Sequence, residues 1–195
     1  SYPVTKKGLR AGAYYYTMAE YSNADFSLYG PFIKGPVGHN FDVFLAYAKL
    51  SGIGAKGLQT PYVDGNYDHG NWIGTHAFVL SAGTNVAKNL RLTTDYVRTN
   101  HKNDLSYAGD DRANFQDNNQ SWVTRLDYKW TNPSMPGTFS AYLRYHNIQR
   151  NGTIWNDDAW GSMLRNSRGW TIGFRYVPWK NIEWETFYEV ANCNM

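Results

Sequence analysis

QSWVTRLDYKW (120–130), TNPSMPG (131–137) and TFSAYLRYH (138–146) are consecutive stretches of the chain, and their pattern decides the fold. In the first, Trp122, Thr124, Leu126, Tyr128 and Trp130 share one parity, and Arg125, Asp127 and Lys129 share the other. A strand turns successive side chains to opposite faces, so one face is apolar with aromatic ends while the other carries alternating charge. Pro133, Pro136 and Gly137 then supply a reversal. The return run repeats the alternation, with Phe139, Ala141, Leu143 and Tyr145 against Ser140, Tyr142, Arg144 and His146. These residues predict a long amphipathic β-hairpin. Trp122 to Trp130 spans roughly 27 Å of extended chain. Tilted by about 40°, that becomes roughly 21 Å, close to the apolar band of about 25 Å between the aromatic girdles of an outer-membrane barrel.

The composition agrees with a wall that is greasy on one side and wet on the other. The 195 residues include 16 Tyr, 9 Phe and 8 Trp, yet the mean hydropathy is −0.60. No run approaches the roughly 18 apolar residues of a membrane helix, which excludes a helical membrane protein and leaves a barrel open. The net charge of +3 is spread along the chain without a basic cluster, so nucleic acid is not an expected partner. Cys193 is the only cysteine and reads as an incidental thiol. The chain starts at Ser1 without a signal peptide and reads as a processed chain or an excerpt.

Working outward, alternation predicts strands at 9–21, 26–33, 41–50, 72–81, 89–100, 169–177 and 182–190, nine with the hairpin. The strand at 26–33 is weak because Gly30 and Pro31 interrupt it, and those at 41–50 and 72–81 have ambiguous facing. For 41–50 the outward choice is Phe41, Val43, Leu45 and Tyr47. Turns are expected at 34–40, 83–88, 131–137 and 178–181, and long polar loops at 51–71, 101–119 and 149–167. From residue 34 onward short and long connections alternate strictly. That sorting is the signature of a transmembrane barrel with short periplasmic turns and long extracellular loops. A Greek-key sandwich has no reason to show it. Nine strands is odd for a single-chain bacterial barrel, so these residues read as part of a larger one.

Little points to catalysis. His39, His69, His76, His101 and His146 are dispersed, without metal-ligand spacing, and no nucleophile elbow or phosphate-cradling loop occurs. Ser140 and His146 share a strand face but stand roughly 20 Å apart. Asp64, Asn66 and Asp68 match the first ligands of an EF-hand loop, but His69 and Thr75 occupy its glycine and glutamate positions. The Asn151-Gly152-Thr153 acceptor triplet reads as loop composition. No catalytic residue, metal or cofactor is therefore assigned, and the chain is not expected to be an enzyme.

The inward parity carries the functional signal. Arg91, Asp95, Arg125, Asp127, Lys129, Arg144, Arg175, Glu183, Glu185 and Glu189 all fall on it, and so many ions in a dry core would cost several kcal/mol each. They are expected to line a wet pore. Trp122, Trp130, Tyr145, Trp170, Tyr176 and Trp184 are expected to form a lipid-facing girdle. A closed barrel whose charges pair in a plug is the alternative.

RGWTIGFRYVPWKNIEWETFYE (168–189), with the hairpin at 120–146, resembles the C-terminal barrel of the S-layer-homology porins, the OmpM-like tethering porins of diderm Firmicutes. The likeness is one of hairpin wording over residues 9–190, and no fixed functional motif is carried over. It implies a homotrimeric general-diffusion porin of about sixteen strands in the bacterial outer membrane, passing small hydrophilic solutes and ions. A non-conducting barrel, serving as an anchor or as an adhesin displaying its loops, is the competing function.

Overall fold

The structure is a computed structural model and describes residues 2–3, 8–21, 24–52, 60–63, 66–68, 76–100, 119–149, 152 and 167–193. Its strands are β1 (Tyr2–Pro3), β2 (Arg10–Tyr21), β3 (Ala24–Val37), β4 (Phe41–Gly52), β5 (Thr60–Val63), β6 (Asn66–Asp68), β7 (His76–Ala87), β8 (Leu90–Thr99), β9 (Gln120–Tyr128), β10 (Phe139–Ile148), β11 (Ser167–Trp179) and β12 (Ile182–Cys193). Ten of them form one antiparallel sheet in the order β1-β2-β3-β4-β7-β8-β9-β10-β11-β12. Among the described strands, β5 and β6 pair only with each other. Each long strand lies beside its chain neighbour, the result of local hairpins that fix register one after another. Among the described strands, none pairs with the outer edge of β12.

All nine expected strands are present, and most are longer than expected. β3 runs for 14 residues, through both of its Gly-Pro pairs, and the turn begins only at Gly38. Its ladder to β4 gives Gly30 and Pro31 no register partner, so the proline sits where no amide is needed. β7 continues past the expected turn at 83–88, which shrinks to Lys88 and Asn89. The first residues of the expected 72–81 strand, up to residue 75, lie outside the described residues. β9 stops at Tyr128 because Lys129 takes a left-handed φ of 59°. Asn89 and Asn181 take the same region, at 62° and 65°, in the two tightest turns. Asparagine tolerates that conformation well, and a bulge precedes each of these turns.

Register carries each side chain's facing across the sheet, since antiparallel partners share a face. Leu92, Leu126, Leu143, Ile172 and Tyr188 form one continuous row. Arg91 and Asp127 pair on the other face, as do Arg125 and Arg144, and Arg175 and Glu185. The burial of the two faces is the reverse of a soluble sheet. Trp170 is 54% exposed and Ile172 60%, whereas the intervening Thr171 and the cross-strand His146 are at 0%. On β10, Ser140, Tyr142, Arg144, His146 and Ile148 are all buried, and none of the alternate residues is. No helix and no second sheet layer covers this polar face among the described residues.

The aromatic face is organised in two rows. Phe41 and Tyr47 on β4, Trp122 and Tyr128 on β9, Phe139 and Tyr145 on β10, and Trp170 and Tyr176 on β11 are each six residues apart. The row nearer the long connections shifts by two residues, toward the short turns, at every second strand. It passes from Tyr47 and Phe78 to Tyr96 and Trp122, then to Tyr145 and Trp170, then to Tyr188.

Candidate functional site

The polar face of β9 to β12 is built around Tyr142. The guanidinium of Arg125 lies 4.2 Å from its ring centroid, that of Arg175 5.6 Å and that of Arg144 5.9 Å. Three cations on one ring are favourable in pairs with the π-face but repel one another. The carboxylates make the cluster tolerable. Arg125 donates from Nε to Asp127 Oδ1 at 2.7 Å, and Arg175 Nε donates to Glu185 Oε1 at 3.0 Å. The Tyr142 hydroxyl donates to the same Glu185 oxygen at 2.9 Å. Arg144 stands 3.8 Å from Glu189 and donates to the Thr171 hydroxyl at 3.1 Å.

Tyr142 reaches Glu185 by crossing a whole strand, because β11 lies between β10 and β12. It passes over Gly173, where any Cβ would overlap the tyrosine ring. The same device recurs twice. Arg91 on β8 crosses Gly83 on β7 to donate to both oxygens of Asp42 on β4, at 2.7 and 2.8 Å. Tyr14 on β2 lies opposite Gly30 on β3 and donates to the Tyr47 carbonyl on β4 at 3.1 Å. Glycine here supplies close approach, its common role inside a strand. Each long side chain ties together two strands that share no ladder.

A second group lies nearer the long connections. His146 Nε2 is 3.0 Å from Ser167 Oγ and 3.9 Å from Glu189 Oε1, and His146 Nδ1 has no hydrogen-bond partner among the described residues. A serine, a histidine and a glutamate are all present, but both partners address the same ring nitrogen. A nucleophilic triad needs the acid on the opposite nitrogen. Ser140, paired in sequence reasoning with His146, lies opposite Arg175 and makes no contact with the ring.

The expected site residues divide cleanly. Arg91, Asp95, Arg125, Asp127, Arg144, Arg175, Glu185 and Glu189 lie on the polar face. Glu183 stands at its rim and accepts a hydrogen bond from Thr131. Lys129 departs from the expected inward facing. Its left-handed backbone ends the alternation, and its ammonium lies 4.3 Å from the Phe139 ring and 5.5 Å from that of Tyr128, both on the aromatic face. Trp122, Tyr145, Trp170, Tyr176 and Trp184 lie on the aromatic face, where Tyr145 and Trp170 approach to 4.9 Å. Trp130 lies beyond the end of β9 and is exposed. Asp64, His69 and Thr75 lie outside the described residues.

Sequence reasoning did not single out Asp42, Tyr142 or the two glycines. Gly83 and Gly173 carry the missed signal, since each stands on the polar parity of its strand where a Cβ would overlap a long side chain, Arg91 over Gly83 and Tyr142 over Gly173. Comparison of the chain with protein-family models finds no match, and comparison with the curated proteins finds none.

Proposed function

We propose that this chain forms the wall of an outer-membrane β-barrel that acts as a porin, a water-filled channel for passive diffusion of small hydrophilic solutes and ions. One observation carries the reading: the aromatic face is exposed while the charged face is the more buried one. In water an exposed continuous apolar row costs about 25 cal/mol per Å², and in hydrocarbon it costs nothing. The strands suit the role, at 9 to 14 residues for the nine long ones against the 9–11 needed to cross a bilayer at a tilt.

The drift of the aromatic row supplies independent support. A row of interfacial rings must lie level with the membrane. A shift of one residue per strand, about 3.4 Å against a strand spacing of about 4.8 Å, levels it at a tilt of about 35°. That falls in the range of about 35–45° seen in outer-membrane barrels. A sheet in hydrocarbon must also close, because each unpaired backbone group costs several kcal/mol there. In this reading the outer edge of β12 pairs with a further strand of a larger ring, of about sixteen strands on the resemblance to the tethering porins, assembled as a homotrimer.

The channel reading rests on the part of the polar face where Arg10 and Lys34 are exposed and Tyr16 is 61% exposed. The second reading, a non-conducting barrel, is favoured by the burial of Arg144 and His146 in a paired network, which a plugged interior would also produce. Single-channel recording in planar bilayers separates the two. Discrete conductance steps support a porin, and a stably inserted protein without steps supports the anchor or adhesin.

A further inference from the structure

The two faces differ in the sign of their charges as well as in polarity. Asp42, Asp95, Asp127, Glu185 and Glu189 all lie on the polar face, and Glu183 shares their parity. No carboxylate stands on the aromatic face among the described side chains of the sheet. The charges that do stand there are cations. Lys49, Arg98 and Arg168 are exposed, and none makes an ion pair among the described residues.

Their placement follows a rule. Lys49 lies two residues beyond Tyr47, Arg98 two beyond Tyr96, and Arg168 two beyond Trp170, each on the side of the long connections and on the same face as its ring. The cations therefore drift across the sheet in step with the aromatic row and remain just above it from β4 to β11. Register places His76, Gln120, Asn147 and Asn192 at the corresponding positions of the intervening strands, all neutral or cationic. A scattered surface charge pattern would not follow the stagger of the strands.

Resting on the membrane reading above, we infer that Lys49, Arg98 and Arg168 form a belt of phosphate-binding positions for anionic lipid headgroups. The level is the one the chemistry requires. Indole and phenol rings sit at the headgroup boundary, and a long cationic side chain one step further out meets the phosphates. The absence of carboxylates in the belt removes the repulsion that would cancel this attraction. A basic residue close to an anionic membrane surface contributes about a fivefold preference for the charged lipid.

The test measures lipid preference in the reconstituted chain, as quenching of tryptophan by brominated phosphatidylglycerol against brominated phosphatidylcholine. The unmodified protein should be quenched more by the anionic lipid at equal mole fraction, and raised salt should weaken the preference. In Lys49→Gln/Arg98→Gln/Arg168→Gln the preference should fall severalfold, while quenching by phosphatidylcholine stays unchanged. Equal quenching by the two lipids in the unmodified protein overturns the belt, as does a preference that the triple variant retains in full. Absence of quenching by either lipid would instead contradict the membrane reading itself. Salt dependence in the unmodified protein keeps the test decisive if the triple variant folds poorly.

Discussion

The polar face is one surface by register but two by environment. Over β10 and β11 it is closed, with Arg144, His146 and Thr171 buried and Arg144 donating to the Thr171 hydroxyl. Over β2 to β8 it is mixed: Ala46, Ala48, Ala77 and Thr99 are buried, Arg10 and Lys34 are exposed, and the Arg91–Asp42 pair keeps half of its carboxylate exposed. Both regions use the same device, a long side chain laid across a glycine on the intervening strand. Equal geometry in unequal solvent should give unequal energies, because desolvation decides what a charge pair contributes.

The largest effect should come from Glu189→Ala, which removes the carboxylate facing both Arg144 and His146. Breaking a buried pair from one side costs about 3–5 kcal/mol, read as a lowered urea midpoint in refolding from detergent micelles. A loss under 1 kcal/mol would mean the closed region is as wet as the open one. Leu143→Arg, on the aromatic face of the same strand, should cost about 2–4 kcal/mol in lipid bilayers and far less in water. Gly173→Val should come next. Its side chain displaces the Tyr142 ring, and overpacking costs about 1–3 kcal/mol. The Tyr142→Ala background should suppress that penalty by opening the space. Smallest is Asp42→Ala, at about 0–1 kcal/mol for a half-exposed pair. Double-mutant cycles sharpen the contrast, with the Arg144/Glu189 coupling expected to exceed that of Arg91/Asp42.

How much of this was legible in the residues follows the same division. Facing was readable wherever alternation was strict, as in LRLTTDYVRT (90–99), because period-2 patterning is a local property. It failed at Lys129, whose parity was inward but whose left-handed backbone turned it onto the Phe139 ring. Strand ends are poorly legible where glycine and proline, the usual punctuation of a strand, stand inside one. Gly83 lies inside β7 because Arg91 needs the space, and Pro31 lies inside β3 because the β4 ladder skips it. The site itself was half legible. The charged residues were identifiable, but Tyr142 as the point where three arginines meet depends on the pairing of β9, β10 and β11, which no single strand encodes.

In the proposed barrel the exposed aromatic face meets lipid and the charged face meets water. Phe174 and Arg175 are chain neighbours on opposite faces, and replacing Cys193 by serine leaves a background without cysteine. Nitroxides at Phe174→Cys and Arg175→Cys in reconstituted membranes test the claim directly, through collision with oxygen, which concentrates in hydrocarbon, and with a water-soluble nickel chelate. Oxygen should relax the label at 174 and the nickel chelate the label at 175. Nickel-dominated relaxation at 174, or equal relaxation at the two sites, would contradict it.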